Sequence, residues 1–61
     1  MNNKDKAALY DNLIIEGQNI NVRMRNIQTK LNPSKEEQLE LRNLRQQFTN
    51  VEMLEFLLSK A

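Results

Sequence analysis

Two runs of apolar residues approach each other across one proline-containing turn, and a single numerical rule relates them. Tyr10, Leu13, Gly17, Ile20, Met24, Ile27 and Leu31 recur at alternating spacings of three and four, the a and d positions of a heptad repeat. Leu41, Leu44, Phe48, Val51 and Leu58 keep the same period in the second half. Facing residues of an antiparallel pair have numbers that add to a constant. Ile27 with Leu41, Met24 with Leu44, Ile20 with Phe48, Gly17 with Val51 and Tyr10 with Leu58 all total 68, centred on the Pro33-Ser34 turn. The pattern predicts an all-α fold, an antiparallel two-helix hairpin packed like a coiled coil. One layer breaks it: Leu13 falls opposite Glu55, and a local shift bringing Leu54 inward would repair the seam.

Local signals set the expected boundaries within a single unit, residues 1–61. The first helix is expected over about 4–31, with Asn3 as N-cap, Asp5 at its positive end and Lys30 at its negative end. Pro33 cannot continue the ladder and biases Asn32 away from the helical region, which places the turn at 32–34. Ser34-Lys35-Glu36-Glu37 reads as a capping box, and the second helix is expected over about 35–59.

A chain of 61 residues with no cysteine and no histidine has no disulfide or imidazole–metal staple. A second copy is the remaining source of stability, and the apolar pattern asks for one. Ala8, Ile15 and Val22 form a stripe outside the first seam, with Ile14 beside it. Val51, Met53, Leu54, Phe56, Leu57 and Leu58 run almost all the way round the second helix. Full burial of such side chains stabilises by roughly 1.5–3 kcal/mol each, a large effect in a small domain. The expected state is a homo-oligomer, a dimer forming a four-helix bundle or a larger helical ring, with Ile15, Val22, Met53, Leu54, Phe56 and Leu57 at the oligomer or partner interface. Gly17 removes a side chain from the seam, so Phe48 or its counterpart from another copy is expected to lie against it.

Chemistry is sparse. Without histidine or cysteine, a base near neutral pH needs a carboxylate or lysine in a pocket that two short helices scarcely make, so no enzyme, cofactor or metal is expected. Glu36, Glu37 and Glu40 are explained by the helix start. The net charge of +1 indicates neither a polybasic nor an acidic tail. Arg23, Arg25, Arg42 and Arg45 fold into the turn-proximal half near Lys30 and Lys35, as possible phosphate or nucleic-acid contacts or as a solvated face. With no membrane-spanning run and no signal-peptide core, the expected home is the cytoplasm, the host's if the chain is phage-encoded.

Two resemblances accompany this reading. Lys4-Asp5-Lys6-Ala7-Ala8-Leu9, together with the length and the hairpin pattern, resembles the opening of the Rop-like family of plasmid proteins, dimeric four-helix bundles that help RNA loops pair. Gln18 falls where one RNA-contacting residue of that family would fall; Ile14 stands where its aromatic contact would be, and the heptad register is offset by two positions. The chain also looks like the hairpin domains of phage anti-defence proteins that sequester cyclic-nucleotide signals. That likeness implies Tyr10 for base stacking and Arg23, Arg25, Arg42 or Arg45 for phosphate, although an a-position tyrosine reads first as core. The sequence favours a non-catalytic small regulatory or assembly protein acting through its helix surfaces on a protein partner. An RNA-binding bundle and a nucleotide-sequestering oligomer are the alternatives.

Overall fold

The computed structural model describes residues 2–60. Two helices of 26 residues each, α1 (Asn3–Gln28) and α2 (Lys35–Lys60), pack side by side as a hairpin. The body measures 47 × 14 × 12 Å, with a radius of gyration of 14.2 Å. A compact chain of this length would have a radius of about 10–11 Å, so the molecule is a rod.

The cap of α1 is Asn2 rather than Asn3. Asn2 has extended backbone, and its Oδ1 accepts from the Asp5 amide at 2.8 Å, the reach of an N-cap side chain to its third helical residue. The other end of α1 also differs from expectation, because the helix stops at Gln28 instead of about 31. Thr29 donates its amide back to the Arg25 carbonyl, and the Lys30 amide reaches Ile27, a tightened last turn that closes the ladder. The Thr29 hydroxyl also donates to Asn26. Leu31 therefore leaves the seam and stands 98% exposed. Its counterpart by the 68 rule is Glu37, which holds a cap and offers no apolar surface.

The start of α2 follows the capping box. The Glu37 amide donates to Ser34 Oγ at 3.1 Å, and the Ser34 amide donates to Glu37 Oε1 at 3.0 Å. Gln38 adds a side-chain bond to the Pro33 carbonyl at 3.1 Å, fixing the entry of the chain into α2. The helix runs to Lys60.

Facing residues in the core obey the predicted register. Ile20, Met24 and Val51 form a buried cluster, flanked by Leu13, Leu41, Leu44 and Phe48, and Ile27 nearer the turn is completely buried. A methyl group on Gly17 would meet Val51 Cγ1 at 3.5 Å and Phe48 Cε2 at 3.8 Å, so both side chains cover the bare glycine at ordinary contact distance. The expected local shift at the Leu13 layer is absent. Leu54 stays half-exposed, while Glu55 keeps its seam position with Oε1 3.9 Å from the same point. The Glu55 carboxylate thus lies beside the bare surface of Gly17.

Burial is uneven along the rod. In α1 the buried residues run from Gly17 to Ile27, whereas Tyr10 and Leu13 near the open end are only half-buried. The total accessible surface is 5031 Å².

Candidate interaction surfaces

The two flanks of the seam differ in chemistry. On one flank, α1 positions just before the seam face their equivalents on α2. Arg23 and Glu40 meet there through a two-pronged ion pair, Nε to Oε2 at 2.7 Å and Nη2 to Oε1 at 2.8 Å. The planar guanidinium fork matches both carboxylate oxygens, which holds the Glu40 carboxyl below its usual range. Nearer the turn, Lys30 donates to Glu37, whose carboxyl is drawn down to about 2 by that bond and by the Ser34 amide. Arg23 and Lys30, two members of the expected six-cation cluster, are thus already engaged within the chain.

Toward the open end the same flank turns apolar. Leu9, Leu13, Leu54, Leu57 and Leu58 line a groove of about 350 Å³. Leu54 and Leu57 are each more than half exposed, as are Met53, Phe56, Ile15 and Val22. Phe56 carries the Lys60 ammonium over its ring at 4.9 Å, so that a charge covers one face of the ring. Ile15 and Val22 lie seven apart on the outer side of α1, away from the groove. Leu9 was not among the sequence candidates, yet it borders the groove. The signal was available: Leu9 and Leu54 total 63, as do Arg23 and Glu40, so both pairs occupy equivalent flanking positions. Leu39, 60% exposed on α2, was likewise missed.

The opposite flank carries amides and arginines. Arg42 and Arg45 line a cleft of about 440 Å³ with Gln38, Leu41, Gln46 and Thr49. Across Phe48, Ile14, Gln18 and Asn21 of α1 border a shallower groove with Gly17 and Glu55. Arg25 follows one turn after Asn21 on the same side of α1. Among the described residues, ion pairs join Arg23 to Glu40 and Lys30 to Glu37; Arg25, Arg42 and Arg45 have no carboxylate partner. The four arginines expected together are therefore divided, Arg23 on one flank and the other three on the other.

Tyr10 is half-buried near the open end, in a groove with Asn3, Lys6, Ala7 and Asp11. Its facing position, Leu58, lies thirteen residues beyond Arg45, an axial separation of ~20 Å. One chain does not bring Tyr10 and the arginines into one site. Among the described residues, no helix is long and apolar enough to cross a membrane. No family model, curated protein or solved structure matches this chain significantly.

Proposed function

We propose that this chain is a non-catalytic binding protein that works as a self-associated helical hairpin and engages a protein partner through its helix surfaces. Its accessible surface carries the reading. A globular protein of 7.2 kDa would expose on the order of 4,100 Å², so 5031 Å² leaves an excess of about 900 Å². A standard stable interface removes roughly 800 Å² from each partner. The excess therefore matches one protein contact, and the leucine groove at the open end is the surface of suitable chemistry for it.

In this reading a second copy occupies the groove of Leu9, Leu13, Leu54, Leu57 and Leu58, turning the open end into a four-helix bundle. Met53 and Phe56 are exposed near the same end but outside the groove's lining. Ile15 and Val22 point away from the groove and remain available to a different protein. The surface supports helix-against-helix docking, in which apolar side chains spaced three, four and seven apart act as anchors.

Sedimentation of the full chain at micromolar concentration tests this directly. The expected species is a dimer, and Leu54→Glu/Leu57→Glu is expected to give a monomer whose helical circular dichroism is retained. A monomeric wild-type chain at tens of micromolar would remove the reading. Ile15→Glu/Val22→Glu separates the two roles, because it is expected to leave the dimer intact while abolishing co-purification of a specific partner.

A further inference from the structure

We infer that the flank bearing Arg25, Arg42 and Arg45 binds the phosphodiester backbone of a double-stranded nucleic acid. This inference stands apart from self-association at the open end. The net charge of +1 conceals a sorting of charge by face. Glu37 and Glu40 pair with Lys30 and Arg23 on the opposite flank, and the three remaining arginines have no carboxylate partner among the described residues. Glu52 is the acid that follows on this side of α2, about two turns beyond Arg45 toward the open end.

The surroundings of the arginines choose the ligand. Asn21 and Gln28 precede and follow Arg25 on α1, and Gln38 and Gln46 share the cleft of Arg42 and Arg45. Guanidinium forks interleaved with side-chain amides match sugar–phosphate contacts, which draw on arginine together with asparagine and glutamine. A lipid surface would require a continuous apolar face beside the cations, and most exposed leucines and Phe56 instead cluster at the other end, with Leu39 at the cleft's edge and Leu31 at the turn standing apart from them. The strip from Gln38 to Thr49 spans ~16 Å along α2. That is the axial length of about five nucleotides of one strand. A rigid, nearly straight strip of this length suits a helical backbone.

Fluorescence anisotropy of the full chain with a labelled 20-base-pair RNA duplex, and with a DNA duplex of the same sequence, tests the inference. Three phosphates neutralised per protomer predict a log–log salt slope of about −2.7 on DNA, or a ~40-fold loss of affinity between 50 and 200 mM salt. Arg42→Gln/Arg45→Gln should weaken binding and reduce the slope by about two, and Arg25→Gln by about one, with helicity unchanged. Arg23→Gln should leave the slope as it is. Equal binding of both duplexes assigns the backbone alone as ligand, while preference for RNA assigns its A-form geometry as well. Absence of binding to either duplex at 50 mM salt overturns the inference. A slope insensitive to Arg42→Gln/Arg45→Gln, or binding only to anionic phospholipid vesicles, does the same.

Discussion

The turn end and the open end of the hairpin use the same backbone relation for opposite purposes. Arg23 and Glu40 near the turn, and Leu9 and Leu54 near the open end, sit at equivalent flanking positions of the two helices. At the turn end the pair closes its own flank through two hydrogen bonds, beside a completely buried Ile27. At the open end the pair leaves a leucine groove facing water. Helix geometry is common to both. Side-chain choice alone decides whether a flank is completed within the chain or left open.

Exchanging the two solutions is the strongest way to break this contrast. Leu9→Arg/Leu54→Glu places an ion pair where the leucines stand, and in the dimer proposed above the loss of two leucines from the contact would cost roughly 3–6 kcal/mol. The dimer dissociation constant should rise by more than about 100-fold, read by sedimentation, while helicity persists. The reverse exchange, Arg23→Leu/Glu40→Leu, should create a second association point at the turn end. Within the single chain the contrast runs the other way. Ile27→Ala should cost about 2–5 kcal/mol in urea unfolding because it opens a cavity in a filled layer. Leu58→Ala, at a half-buried layer, should cost distinctly less at concentrations where the chain is monomeric. Equal losses at both sites would mean that the open end is as well packed as the turn end.

The sequence makes the hairpin legible because its two constraints are local and periodic. Heptad spacing identifies each helix, the constant total of 68 pairs them, and Ser34 with Glu37 marks the second start. The expectations that failed depended on what lies across the gap. Leu31 fits the period of α1, yet its facing residue is a capping carboxylate, so nothing rewards another helical turn. Glu55 breaks the apolar pattern and still keeps its place, with its carboxylate beside the bare surface of Gly17. The surfaces were harder to read. The six cations near the turn fall in one half of the hairpin, but a flank is set by heptad position, and that divides Arg23 and Lys30 from Arg25, Lys35, Arg42 and Arg45.

Two smaller substitutions sharpen the account of the middle and the turn. Ser34→Ala removes the acceptor of the Glu37 amide and should cost about 1 kcal/mol, seen as a lower urea midpoint with unchanged slope. Gly17→Ala should stabilise the isolated hairpin by up to about 1 kcal/mol, since its methyl finds Val51 at ordinary contact distance and helix propensity improves. If Gly17→Ala weakens dimerisation while raising monomer stability, the bare glycine surface belongs to the interface between copies.

The smallest expected effect distinguishes the two ends by acid. The Glu37 carboxyl, lowered from 4.5 to about 2, stays ionised in the folded chain while the unfolded chain begins to take up its proton near 4.5. Stability from the Lys30 and Ser34 contacts is therefore present above about pH 4.5, declines as pH falls from 4.5 toward 2, and is absent below that. Glu40 contributes in the same direction through Arg23. Both carboxylates keep some contact with solvent, so the change should be modest, and it belongs to the turn end alone. Urea midpoints at pH 7, 4 and 2 should fall for the wild type. In Glu37→Gln the pH 7 value should be lower and the fall shallower, because the difference between the two proteins isolates this carboxyl from the other acids. Parallel falls would place the acid sensitivity elsewhere. The leucine groove has no titrating group in its lining, so acid should loosen the turn end before it loosens any contact made through the open end.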